Sequence, residues 1–376
     1  MLMARELGPG GTERQLTELA RSLDPSHFEV HVGCFKEGIR AEELRRHGLP
    51  ILRLQITSFK ERSAFNGVRH LISYLRKHKI QLVHTFDYPL NCFGVPVARA
   101  ARVPVVLSSQ RADRRLIPRS YLKVLRVTDR LVSGIIVNSQ AVWSEMVGTE
   151  HLPPSLLHLC YNGIDTGHFH VEGRRRVSIL ADSSLVIGVV CVLRPEKDVA
   201  TLIEAFARLA AQYRNVRLAV IGSGPELARL ESLAQELRIS YRCIFQPAVS
   251  DVASWLRSID IFVLPSVSEA FSNSLMEAMA CGCACIASRT GGNPELIRDE
   301  ETGLLFEPGD SRDLAEKLCR VLGDAGLRSR LAQAGTRAIL DGFSLAASAK
   351  RMQEIYTGYL RKGLRLPVDN VLCRTQ

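Results

Sequence analysis

Several things are missing from this sequence, and each absence removes a class of function. The 376 residues contain no apolar run long enough to span a bilayer. The opening MLMARELGPGG carries Glu6 and reaches glycine and proline at once, unlike a secretory leader. The 10 cysteines lack the spacing of a secreted disulfide framework, so reduced thiols in a cytosolic protein are expected. There is no zinc-finger or RNA-binding signature, and the basic residues lack interleaved aromatics, so nucleic acid is not an expected partner. Neither a short fixed-period repeat nor a low-complexity tract occurs.

The formal charge of +10 leaves an anionic membrane or a small anionic substrate. Arg111, Arg114, Arg115, Arg119, Lys123, Arg126 and Arg130 crowd one stretch, interleaved with Leu116, Ile117, Leu122, Val124, Leu125 and Leu131. A basic amphipathic segment of this kind rests on acidic lipid, and an ordinary solvated helix face gives the same pattern. Both readings stay open at this point.

Length favours two domains. Apolar runs at Val30–Phe35, Leu82–Thr85, Val103–Ser108, Gly134–Asn138, Val186–Leu193, Val216–Gly222, Ile259–Pro265 and Ala284–Ser288 predict strands. Helical patterns lie between them, among them Thr12–Leu23, Gly67–Lys77, Val199–Tyr213, Pro225–Leu237, Val252–Ser258, Ser274–Cys281 and Asp313–Leu322. Short β-branched strands alternating with helices imply parallel sheets covered on both faces, an α/β doubly wound class. A polar break without period follows Asp165. The expected organisation is therefore 1–168 as a first domain, 169–184 as linker, 185–343 as a second domain, and 344–376 as a helix and tail crossing back to the first domain.

Ligands of such sheets bind at the carboxyl ends of the strands. Gly8-Pro9-Gly10-Gly11 leads from a short first strand into a helix, where glycines admit a close ligand and helix amides attract anions. Arg194-Pro195-Glu196-Lys197-Asp198 follows another strand, and its two cations suit a diphosphate. A solvated loop with Asp198 as helix cap fits the same residues. Gly222-Ser223-Gly224-Pro225-Glu226 begins like a dinucleotide fingerprint, but Leu227 occupies the third glycine position. Neither glycine loop carries a Walker lysine.

In SEAFSNSLMEAMACG, Ser268 to Gly282, Glu277 lies on a helix that is apolar almost all round. Ser274 and Glu277 have capping-box spacing, which explains one glutamate and not Glu269. A carboxylate accepts hydrogen bonds from paired sugar hydroxyls, and the adjoining helix start receives phosphate. One segment thus offers both halves of a sugar-nucleotide site.

Glu269 and Glu277, with seven residues between them, resemble the E-x7-E segment of retaining GT-B glycosyltransferases of family GT4. GPGGTERQL, YNGID, LRPEKD, GSGPEL, SIDIFVLPS and TGGNPELI resemble further segments of that family, in its order, across nearly the whole chain. The resemblance implies two Rossmann-like domains facing across a cleft, 1–168 on the acceptor side and 185–343 on the donor side, with no cofactor and no metal. It implies a hexosyltransferase that takes a sugar from a nucleotide-diphosphate donor to a glycan or lipid-linked acceptor, making polysaccharide or glycolipid. Arg194 and Lys197 would meet the diphosphate, Glu277 the ribose, and Glu269 the transferred sugar. Phe271, Ser272 and Asn273 would offer amides, while Gly10 and Gly11 would close on the donor from the opposite domain. Whether Glu269 acts as base, nucleophile or positioner stays open.

The chain departs from the family pattern in three places. MLMARE is a short first strand. Gln110 and Arg111 stand where many relatives have a histidine, with His84, near Asp87, as substitute on the acceptor side. Phe245-Gln246-Pro247 replaces a usual glycine. Cys281, Cys283 and Cys285 read as buried small residues rather than metal ligands, and His168 and His170 as linker residues. An epimerase of the same architecture, or a non-catalytic nucleotide-sugar or membrane-binding relative, is the alternative function. The expected location is cytoplasmic and peripheral on the inner membrane face, with the basic stretch Arg111–Arg130 meeting anionic lipid.

Overall fold

The computed structural model describes residues 1–56, 58–59 and 61–363, so the end of the expected tail lies outside the described residues. Two compact units emerge, one of Met1–Asn138, Val142–Tyr161 and the chain from Leu345, the other of Ser139–Ala141 with Asn162–Ser344.

In the first unit β1 (Leu2–Glu6), α1 (Gly11–Ser22), β2 (Val32–Lys36), α2 (Ile39–Arg46), β3 (Ile51–Arg53) and α3 (Arg62–Lys77) come first. β4 (Leu82–Thr85), α4 (Tyr88–Ala100), β5 (Val105–Gln110), α5 (Arg119–Thr128), β6 (Gly134–Val137), α6 (Gln140–Gly148) and β7 (Leu157–Leu159) follow. The seven strands are ordered β3-β2-β1-β4-β5-β6-β7, parallel throughout. Leu2, Ala4, Val32, Val105, Leu107 and Ile136 face a core closed by Leu16 and Leu19 of α1. Each large aliphatic side chain among them contributes about 1.5–3 kcal/mol by leaving water.

The second unit runs β8 (Leu185–Val190), α7 (Val199–Leu209), β9 (Val216–Ile221), α8 (Leu227–Glu236), β10 (Cys243–Gln246), α9 (Val252–Arg257) and β11 (Ile261–Leu264). It continues with α10 (Asn273–Ala280), β12 (Ala284–Ser288), α11 (Asn293–Leu296), β13 (Leu304–Phe306), α12 (Ser311–Gly323) and α13 (Ala325–Gly342). Its sheet order, β10-β9-β8-β11-β12-β13, is parallel and reverses direction at β8 and β11. Loops after those two strands flank the switch point, where such sheets bind ligands.

The final helix, α14 (Leu345–Gly363), packs on α1 in the first unit and sends Met352, Ile355 and Tyr356 into its core. The segment expected as a linker is held to the second unit: Arg174 and Arg176 each reach Asp260, both at 2.8 Å.

β3, β7 and β13 are only three residues long, below the length at which alternation can be read from sequence. α4 is concealed by Pro89, Gly94 and Pro96; it forms because Asp87 accepts the Leu90 amide at 3.0 Å as cap and Pro89 lies in the first turn. β8 ends at Val190, three residues earlier than its apolar run predicts, which frees Cys191–Leu193 to form a loop.

Candidate functional site

In the second unit, the loop after β8 turns through a short 3-10 segment at Pro195–Lys197, with Arg194 as its cap. Asp198 follows in the left-handed conformation at φ 46° and begins α7; its carboxylate takes the Thr201 hydroxyl at 2.6 Å. The glycines of GSGPEL brace this loop. A side chain on Gly222, at φ 148°, would overlap the Cys191 carbonyl, and one on Gly224 the Leu193 carbonyl. Leu193 donates its amide to Ser223 at 3.0 Å, and Glu226 donates back to Leu193 at 3.1 Å. The motif's resemblance to a phosphate fingerprint thus has a packing cause.

A second lacing joins this loop to the one after β11. Val267 donates its amide to the Glu196 carbonyl at 2.9 Å. Lys197 Nζ donates to Glu269 Oε2 at 2.5 Å. Burial acts to lower the Lys197 ammonium, but the charge and hydrogen bond of Glu269 more than offset it, and the group is held above the ordinary lysine value. Arg194 is far looser: its side chain is 61% exposed, with Glu196 3.9 Å away.

Glu269 is fixed from behind by the TGG turn. A side chain on Gly291, at φ 51°, would collide with the Glu269 carbonyl, and one on Gly292 with the Ala270 carbonyl. Phe271 is buried against Phe343, ring centroids 5.6 Å apart, so its backbone is what it can offer a ligand. Ser272, not Ser274, caps α10, accepting the Leu275 amide at 3.2 Å. The capping-box reading of Ser274 and Glu277 is corrected accordingly: the helix begins a residue earlier, and Glu277 lies beyond the reach of that motif. Asn273 and Glu277, four residues apart, share one helix face, with Glu277 only 4% exposed. Asn162 of YNGID reaches across the sequence to hold Asn273 Oδ1 at 2.8 Å. That contact was not legible from spacing.

In the first unit Gly10 caps α1 without any side-chain hydrogen bond, and Gly11 opens the helix. His84, expected on the acceptor side, is a core residue instead. Its Nδ1 meets the Tyr356 hydroxyl at 2.6 Å and its Nε2 the Ser109 hydroxyl at 2.8 Å, and burial pushes it well below the usual histidine range. Gln110 is also engaged, donating to Ala112 O at 2.6 Å and accepting from Arg114 Nε at 3.2 Å. The Arg111 guanidinium lies 5.0 Å over the Phe86 ring and lines a small pocket with Gln15 and Ser348. Burial lowers it. Sequence reasoning treated Asp87 only as a neighbour of His84. Burial raises its carboxyl to about 6, against hydrogen bonds from the Arg5 and Leu90 amides.

The basic stretch is divided by the fold. Arg114 is buried against Asp129 at 2.8 Å and Glu150 at 3.5 Å, and Arg115 pairs with Asp113. With Arg111 also inside, the continuous cationic face expected over Arg111–Arg130 is reduced to its second half.

The C-x-C-x-C thiols are buried. Cys283 Sγ donates to Leu256 and Ile259 carbonyls at 3.3 and 3.4 Å, and burial raises Cys281 to about 11. Among the described residues no group of three or more His, Cys, Asp or Glu side chains is placed to hold a metal ion. No helix among them is long and apolar enough to cross a membrane.

Comparison with known proteins agrees with this geometry. Residues 172–338 match the family model for glycosyl transferases group 1, and residues 9–168 match that for Glycosyltransferase Family 4. N-acetyl-alpha-D-glucosaminyl L-malate synthase of Bacillus anthracis is 30% identical over 182 residues, 48% of each chain. D-inositol 3-phosphate glycosyltransferase of Thermobispora bispora is 26% identical over 96% of this chain and 89% of its own. Among solved structures, HepE of Anabaena in complex with UDP-glucose superposes with a TM-score of 0.84 at 21% identity, over 95% of this chain and 99% of that one. Two parallel α/β sheets, the laced loops after β8 and β11, and family models covering both halves lead to one assignment: the chain belongs to the group 1 glycosyltransferases, with the GT-B fold.

Proposed function

We propose that the protein transfers a hexosyl group from a nucleotide-diphosphate sugar to a glycan or lipid-linked acceptor, with retention of anomeric configuration and without a divalent metal. The observation that carries this reading is the lacing of two loops at the β8/β11 switch point, where Lys197 meets Glu269 beside the Asn273/Glu277 face of α10. In this reading Lys197 and Arg194 neutralise the diphosphate and the charge developing on the leaving nucleotide. Glu277 accepts the ribose hydroxyls. The backbone amides of Phe271, Ser272 and Asn273 receive sugar hydroxyls and phosphate, and Glu269 orients the transferred sugar. The acceptor oxygen attacks the anomeric carbon on the face the phosphate leaves, and a departing phosphate oxygen takes its proton.

A cytoplasmic setting, peripheral on the inner membrane face, belongs to the same reading. It is supported by the nine described cysteines, all of them free. HepE was solved with UDP-glucose, so UDP-sugars are the first donors to test.

The test is calorimetric titration of the full chain with UDP-, GDP- and ADP-glucose, repeated on Glu277→Gln. One donor is expected to bind selectively and to weaken in the variant; equal affinity in both proteins would remove Glu277 from the ribose. Free nucleotide should appear only with acceptor, and EDTA should leave the rate unchanged. A product formed from donor alone would indicate epimerisation. An inverted anomeric signal by NMR would overturn retention.

A further inference from the structure

The exposed half of the basic stretch carries two parallel stripes. On α5, Val124 and Val127 are 44% and 58% exposed, and they continue into Leu131 in the following turn at 38%. Leu116, just before the helix, is 55% exposed. Spacings of three and four put the apolar side chains of the helix on one face. Lys123 and Arg130 each stand one residue before an apolar member of that face, Val124 and Leu131, and Arg119 lies four residues before Lys123; all three cations are exposed. Among the described residues none of these three cations makes an ion pair, whereas Arg126 reaches Glu150 at 3.3 Å.

We propose that this face of α5 docks on an anionic lipid bilayer, with Leu116, Val124, Val127 and Leu131 entering the interface while Arg119, Lys123 and Arg130 meet lipid phosphates. Adjacent aliphatic and cationic stripes are the arrangement an anionic interface selects: the aliphatic groups leave water and the cations remain at headgroup level. The first turn of α5 adjoins the carboxyl end of the first unit's sheet. Tyr121 of α5 packs edge-on to Tyr88, ring centroids 5.0 Å apart, and Tyr88 opens α4 just after β4. A lipid-linked acceptor held in the same leaflet would reach that sheet end by lateral diffusion. The inference rests on the transferase reading for its purpose, but its measurement does not.

The experiment is flotation of the full chain with vesicles of equimolar phosphatidylglycerol and phosphatidylcholine, and with phosphatidylcholine alone. Two variants, Val124→Asp/Val127→Asp and Arg119→Gln/Lys123→Gln, are run beside the wild type, each checked for an unchanged melting temperature. The wild type is expected on the anionic vesicles only. Loss of two cations should weaken partition about thirtyfold, and the aspartate pair at least about tenfold. Absence of binding, equal binding to both vesicles, or a folded aspartate variant that binds like wild type would each overturn the proposal. Donor titration of the same samples reports separately on the transferase reading, so either can fail alone. Should both variants prove unstable, the wild type's vesicle preference decides.

Discussion

Lys197 and Glu269 hold each other at 2.5 Å across loops that follow adjacent strands, so the cation read as the donor's phosphate partner already carries a carboxylate. A nucleoside diphosphate must displace that carboxylate or share the ammonium with it. Glu269→Gln keeps the shape and removes the competing charge. It is expected to bind free nucleoside diphosphate about threefold to tenfold more tightly, while turnover with sugar donor and acceptor falls about 100-fold. Calorimetry and steady-state rates check the two halves separately. Weaker nucleotide binding in the variant would mean that Glu269 supports the phosphate site rather than competing for it.

The two cations should not be equivalent. Lys197 is held by Glu269, whereas Arg194 is mostly exposed and loosely placed. Lys197→Ala should lower kcat/KM about 100-fold to 1000-fold, the range for losing one positioned stabiliser of developing charge. Arg194→Ala should cost less, because an exposed cation is screened by water. A larger loss at Arg194 would reverse the ranking.

Gly222 has no room for a β-carbon, which would overlap the Cys191 carbonyl. Gly222→Ala must push the Cys191–Leu193 loop aside and hold φ 148° against its side chain. The expected cost is about 2–4 kcal/mol, a fall in melting temperature of about 5–12 °C. Scanning calorimetry measures it. A melting temperature within about one or two degrees of wild type would show that the two loops are not in contact.

Asp87 supplies a pH-dependent test. Its carboxyl is raised to about 6 when folded, against about 3.8 for an ordinary aspartate. Between those values the folded chain binds the extra proton, so this group's stabilisation is full below about 4 and is lost as pH rises through about 6. Asp87→Asn cannot ionise. The variant should therefore gain on wild type by about 1–3 kcal/mol between about pH 4 and pH 7, and then hold level. Urea unfolding at several pH values gives the difference. A constant offset is expected too, because the asparagine Nδ2 would face the Arg5 amide; a difference independent of pH would contradict the raised carboxyl.

The sequence carried most of the sheet architecture because buried parallel strands such as Ile261–Leu264 and Ala284–Ser288 are continuous apolar runs. The Arg194–Lys197 and Glu269–Glu277 segments were legible for a related reason, since charge beside such runs is conspicuous. What stayed hidden depends on distance in space. Nothing local marks Ser272 rather than Ser274 as the cap, for both precede an apolar helix. Nothing in LVHTFDY tells that His84 is sealed between Ser109 and a tyrosine 272 residues further on. The brace between Gly222 and Cys191 is likewise a contact between two loops. Sequence pattern reports only the glycine.

That distant tyrosine has a consequence for synthesis on the ribosome. Tyr356 belongs to α14, which fills the core of the first unit although the whole second unit is translated before it. The half made first therefore waits for the last helix, with its hydrophobic face around His84 open to water or to chaperones. The half made second, nearly contiguous from Asn162 to Ser344, has almost every residue it needs as soon as it emerges. Maturation order should run opposite to synthesis order, and a chain released after Ser344 would carry a finished second unit tethered to an unfinished first.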